Sequence, residues 1–167
     1  KDNSVVIYCG TGNNGGAGLA VARLLFEEGY RVEVIQAMIG SKLSEDNSIN
    51  KNKLPKDIAY YDVDKGDSFP FVEEQSVAID ALFGSGLSSP VEGFWAEMIA
   101  HINDHHEKIV AIDLPSGLYA DSPAEGTIIT AKHTISFQLP KLSFFFADHA
   151  KYVGEWQGVD IGLSEKG

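Results

Sequence analysis

The stretch Ser4–Cys9 is apolar and runs straight into Gly10-Thr11-Gly12-Asn13-Asn14-Gly15-Gly16. A short apolar run bounded by glycine reads as a buried strand. The helix-like stretch that follows, with Leu19, Ala22, Leu24, Leu25 and Phe26, closes at Gly29, a common helix stop. Two further apolar runs end the same way. Val77–Ile79 leads into Asp80-Ala81-Leu82-Phe83-Gly84-Ser85-Gly86, and Ile109–Ile112 into Asp113-Leu114-Pro115-Ser116-Gly117. Strand, loop and helix in alternation build a parallel sheet, and the loops at its carboxyl edge are where such sheets bind ligands. All three stretches would therefore meet along one edge.

The remaining pattern fits that frame. Strands are expected at Arg31–Gln36, Ile58–Val63, Val77–Leu82, Thr134–Phe137 and near Val159–Ile161, with helical spacing over Val91–Asn103 and Leu142–Tyr152. Gly40–Asp57 is polar and reads as a solvated connection with one exposed helical stretch. The fold class is α/β: a three-layer Rossmann-like sandwich around a mostly parallel central sheet, with residues 1–167 as one domain. With Lys1 only three residues ahead of the first strand, the chain is expected to be a piece of a longer protein.

Charge and cysteine content narrow the partners. A formal net charge of −11 speaks against nucleic acid and against an anionic membrane surface, both of which need a basic footprint. No apolar run is long enough to span a bilayer. Cys9 is the only cysteine, so no disulfide can form within the chain, and a reducing, cytoplasmic setting is expected.

Gly10, Gly12 and Gly15 satisfy the dinucleotide spacing G-x-G-x-x-G, but the second strand ends in Val34-Ile35-Gln36 without the acid that would hold ribose hydroxyls. Gly15-Gly16-Ala17 lacks the Lys-Ser/Thr pair of a phosphate loop. What remains is a backbone that can approach a phosphate-bearing ligand at the amino end of a helix. Asp80 and Asp113 carry the chemistry. Each follows a buried strand, so its carboxylate rides on a rigid, dry support of the kind that tunes an acid or base; the alternative is a carboxylate that only caps its loop. His101 and His105 stand four apart on a helix without a third ligand and read as an exposed face. Ser116 lacks the G-x-S-x-G elbow of a nucleophile. Phe144, Phe145 and Phe146 read as core or subunit interface, and a homo-oligomer is expected.

Together, Gly10–Gly18, Asp80–Leu87, Asp113–Leu118, Thr134–Phe137 with Pro140-Lys141, and Asp160-Ile161-Gly162 resemble the YjeF N-terminal domain family, the NAD(P)HX epimerases. The resemblance implies a metabolite-repair enzyme that interconverts the R and S hydrates of NADH and NADPH, with NAD(P)HX as substrate and a fused or separate dehydratase as partner. It also implies a substrate site at Asn13, Asn14, Gly15, Gly16, Ala17, Gly84, Ser85, Gly86, Leu87, Ser88, Ser89, Pro90 and Asp113. Asp113 would be the catalytic residue, and Asn14, Asp80 and Ser116 would hold a potassium ion. The chain departs from the family at Ala17, where Asp is usual, so a non-catalytic nucleotide-binding or protein-interaction module is the alternative.

Overall fold

The computed structural model describes residues 4–38 and 42–162. Seven strands form one sheet: β1 (Val5–Cys9), β2 (Val32–Ala37), β3 (Ala59–Val63), β4 (Val77–Ala81), β5 (Lys108–Ile112), β6 (His133–Phe137) and β7 (Glu155–Val159). Every adjacent pair is parallel, so the expected mostly parallel sheet is parallel throughout. Their order is β3-β2-β1-β4-β5-β6-β7. The chain thus steps outward from β1 to β3, returns to the other side of β1, and steps outward again. That reversal opens a crevice between the carboxyl ends of β1 and β4, where parallel sheets of this type take their ligands.

Side-chain alternation divides the core between the two faces. Val5, Ile7 and Cys9 join Val34, Ile79 and Ile112 beneath α1 (Asn13–Glu27), which contributes Leu19 and Ala22. Val6 and Tyr8 point the opposite way and pack with Ile35 and Ala78 against α3 (Phe94–His105), whose Phe94, Met98, Ile99 and Ile102 form one apolar stripe. The three layers are those the sequence implies.

Two expectations need correction. The final strand is Glu155–Val159 rather than Val159–Ile161. It is the sheet edge and all five of its residues are exposed, so no apolar run marks it. Leu142–Tyr152 is not one helix but two short 3₁₀ turns, Leu142–Phe145 and Ala147–His149, followed by α4 (Ala150–Val153). Tertiary bonds break it up: Ser143 N donates to the Ala120 carbonyl, and His149 bonds both the Ser143 carbonyl and the Ala124 amide. The polar tract after β2 contains α2 (Glu45–Asn52), capped by Ser44 and packed on α1, with Asn47 fully buried. The start of that tract, Gly40 and Ser41, lies outside the described residues. Among the described residues no helix is long and apolar enough to cross a membrane.

Candidate active site

The glycine loop leaves β1 pressed against its neighbour. Gly10 donates its amide to the Ala81 carbonyl at 3.0 Å, and a Cβ on Gly10 would collide with the Leu82 backbone. Gly15 is equally confined, facing the Gly10 carbonyl. Two buried amides hold this loop from below. Gln36 Nε2 donates to the Gly10 carbonyl at 2.7 Å, and Asn47 Nδ2 donates to the carbonyls of Gly10 (2.8 Å) and Gly12 (3.0 Å). Gln36, standing where a dinucleotide fold carries its ribose-binding acid, is thus an internal strut, and Tyr60 donates to its other end at 3.2 Å. Among the described residues no side chain caps the amino end of α1, which Gly12 opens.

Behind this loop the structure brings Asn14, Asp80 and Ser116 into one network. Asp80 is fully buried. Ser116 Oγ donates to its Oδ1 at 2.6 Å, Ser116 N to Oδ2 at 2.7 Å, and Leu82 N to Oδ1 at 3.2 Å. Phe83 links the three residues: its amide donates to Ser116 Oγ at 3.0 Å and its carbonyl accepts Asn14 Nδ2 at 2.9 Å. Asn14 Nδ2 also lies 3.3 Å from the Ile112 carbonyl. Burial pushes the Asp80 carboxyl up to about 6, against the opposing pull of the Ser116 and Leu82 bonds. Among the described residues no Lys, Arg or His forms an ion pair with it.

Asp113 is held differently. Its backbone takes a positive φ of 70°, with Leu114 N donating to the Ile112 carbonyl at 3.0 Å across a tight three-residue turn. A second such turn lies beside it at the end of β6, where Gln138 has φ 60° and Leu139 N donates to the Phe137 carbonyl at 2.7 Å. Side chains other than glycine adopt this backbone only at a cost, and surrounding contacts must hold it there. Asp113 Oδ1 joins the two turns by accepting the Phe137 amide at 3.2 Å, and it pairs with Lys141 Nζ at 2.8 Å.

A cavity of about 600 Å³ opens between these elements. Of the expected substrate residues, Asn13, Asn14, Gly84, Ser85, Gly86, Leu87 and Asp113 line it, together with Thr11, Gly12, Leu82, Phe83 and Phe137. Gly15, Gly16 and Ala17 do not. Gly15 and Gly16 are buried toward α2, and Ala17 packs partly against the α1-side core. Ser88, Ser89 and Pro90 are exposed and also lie outside the lining.

The weaker sequence candidates find structural roles. Ser116 engages Asp80 and the Phe83 amide rather than an imidazole. His101 and His105 stack on each other with ring centroids 4.1 Å apart, and no group of three His, Cys, Asp or Glu among the described residues could hold a metal. Cys9 is buried in the core, and burial pushes its thiol far up, the setting of an inert cysteine. Phe144 is core, whereas Phe145 is exposed against Trp156. Sequence reasoning missed Asn47, Gln36 as a strut, and the pairing of Lys141. Asn47 sits in a polar tract without periodicity, but Lys141 was visible within the Pro140-Lys141 motif.

The family model for the YjeF-related protein N-terminus matches residues 1–143. The chain belongs to this family. It is 38% identical over 162 residues to the NAD(P)H-hydrate epimerase of Lentilactobacillus buchneri, covering 96% of this chain and 74% of that protein. The bifunctional NAD(P)H-hydrate repair enzyme Nnr of Coxiella burnetii is 34% identical over 171 residues, which are 96% of this chain but 33% of the relative. The chain thus spans about a third of the bifunctional relatives and about three quarters of the single-named epimerases. The crystal structure of yeast ynu0 superposes with a TM-score of 0.76 at 23% identity, over 96% of this chain and 66% of that one, and shares the fold.

Proposed function

We propose that this family member is an NAD(P)H-hydrate epimerase that interconverts the R and S hydrates of NADH and NADPH. The observation that carries the reading is Asp113, on the wall of the cavity between the uncapped amino end of α1 and the loop after β4. The names of the relatives supply the substrate class. In the hydrate the hydroxyl sits on a ring carbon bonded to nitrogen. Protonation of that hydroxyl lets the nitrogen lone pair expel it as water and leaves a flat cation. Water then re-adds to either face and returns the proton. One carboxyl group that donates and recovers a proton suffices, and that role falls to Asp113.

The donor set behind the loop fits a potassium ion. The Asp80 carboxylate, the Ser116 hydroxyl, the Asn14 amide and the Phe83 and Ile112 carbonyls are oxygen-rich and of low total charge, and the buried Asp80 has no protein cation paired with it among the described residues. Held there, a monovalent cation would neutralise Asp80 and fix the loops after β1, β4 and β5. A dehydratase consuming the S hydrate, fused or separate, and a cytoplasmic setting complete the reading. Ala17 lies off the cavity, so its departure from the family removes nothing from the lining and does not favour a mere binding module.

The test is an epimerisation assay. Purified protein and R-hydrate are coupled to an S-specific dehydratase, and reduced nucleotide should reappear faster than in a protein-free control. Equal rates would overturn the proposal.

A further inference from the structure

The epimerase reading uses Asp113 and leaves its ion-pair partner unexplained. Lys141 is mostly buried, as is the Asp113 carboxylate, with side chains 18% and 10% exposed. Its Nζ lies 2.8 Å from Asp113 Oδ1, and 3.4 Å and 3.5 Å from the carbonyls of Phe137 and Leu139, which bracket the second tight turn. One ammonium therefore touches both strained turns at once.

The two carboxylate oxygens are unequal. Oδ1 takes two donors, Lys141 Nζ and the Phe137 amide. Oδ2 accepts no hydrogen bond among the described residues, while Asp113 lines the cavity. An oxygen already facing two N–H donors cannot also present a proton of its own toward them. A proton on this carboxyl must therefore ride on Oδ2.

From this asymmetry, and resting on the epimerase reading, we propose that Lys141 is a positioning residue: it occupies Asp113 Oδ1, so the exchangeable proton is confined to Oδ2, directed at substrate. Lys141 itself donates and accepts nothing in the reaction. Its charge and reach keep the carboxyl plane fixed through departure and return of water, so both faces of the substrate ring meet the same oxygen. Small misplacement of a reacting group costs up to about a hundredfold in rate.

The experiment compares wild type, Lys141→Met and Lys141→Arg in the coupled epimerase assay, alone and combined with Asp113→Asn, with melting temperatures recorded for each. Lys141→Met should lower kcat by about ten- to a hundredfold with KM changed less than about threefold, because it disturbs proton transfer rather than binding. Lys141→Arg, which keeps a cation in reach of Oδ1, should recover most of the rate. In the Asp113→Asn background Lys141→Met should cost nothing more, since groups acting as a unit are non-additive. Full activity in Lys141→Met, or equal losses in both backgrounds, overturns this inference and leaves the epimerase reading standing. An inactive wild type overturns both. If Lys141→Met fails to fold, Lys141→Gln takes its place beside Lys141→Arg: a low kcat in Lys141→Gln that is mostly restored in Lys141→Arg, with KM and melting temperature near wild type in both, supports the inference, and equal kcat in the two variants overturns it.

Discussion

Asp80 and Asp113 stand on adjacent strands of one sheet edge and look interchangeable in the sequence, yet the structure treats them as opposites. Asp80 lies inside β4, has no access to solvent, and receives three hydrogen bonds that engage both of its oxygens. Asp113 lies just past β5, on a backbone held at φ 70°, and lines the cavity with Oδ1 engaged and Oδ2 accepting no hydrogen bond among the described residues. A carboxylate buried off the cavity wall with both oxygens hydrogen-bonded can organise loops but cannot hand a proton to a bound substrate. One with a spare oxygen at a cavity wall can. The difference between holding and acting is thus set by how each oxygen is bonded.

The sharpest way to break this comparison is to neutralise each acid in turn. Asp113→Asn should keep the fold, with a melting temperature lowered by loss of the Lys141 ion pair, and should lower the epimerisation rate by about a hundredfold or more, the usual scale for a lost general acid. An unchanged rate would remove Asp113 from the chemistry. Asp80→Ala should do the reverse in kind. It leaves the Ser116 and Leu82 amides without their acceptor, at about 1–3 kcal/mol each, and should drop the melting temperature by about 5 °C or more. It should also erase any preference for K⁺ over Na⁺ in thermal stabilisation; a preference that survives would move the cation elsewhere.

A pH series separates the two acids without mutation. Burial raises the Asp80 carboxyl to about 6 in the fold from an ordinary value of 3.8. Its contribution to stability is therefore full below the ordinary value and is lost as pH rises through about 6 in cation-free buffer. A bound cation needs the ionised form, so the K⁺-dependent gain in melting temperature should be small near pH 4 and grow through about pH 6. A gain independent of pH would mean that Asp80 is not the anchor. The smallest expected effect lies outside both acids. Asn47→Asp keeps the shape but sets an acceptor against the Gly10 and Gly12 carbonyls, costing about 1–3 kcal/mol of stability while leaving the K⁺ preference in place. Loss of that preference in Asn47→Asp would show that loop and cation site are one unit.

What could be read before the structure followed from local rules. Buried parallel strands are apolar throughout, and the loops leaving them carry glycine and aspartate, so β1, β4, β5 and the placement of Asp80, Asp113, Asn14 and Ser116 along one edge were legible. Long-range partners were not. Asn47 reaches the glycine loop across 37 and 35 positions of sequence, and Lys141 meets Asp113 only because β5 and β6 pair. Nor does sequence show which way a side chain turns: Ala17 belongs to the glycine motif yet packs with the core, and Gln36 points inward. The edge strand β7 escaped because exposure on both faces leaves no pattern to detect.

The buried struts beneath the glycine loop also bear on its portability. Residues 10–18 carry the family's most recognisable letters, but their path is set by Gln36 at the end of β2 and by Asn47 in the polar helix beyond it. Grafted alone onto another strand–helix junction, the nine residues would bring their letters without their contour. The transplantable module is instead the whole β1–α1–β2–α2 unit, and a designer borrowing this glycine turn must carry Asn47 along with the glycines.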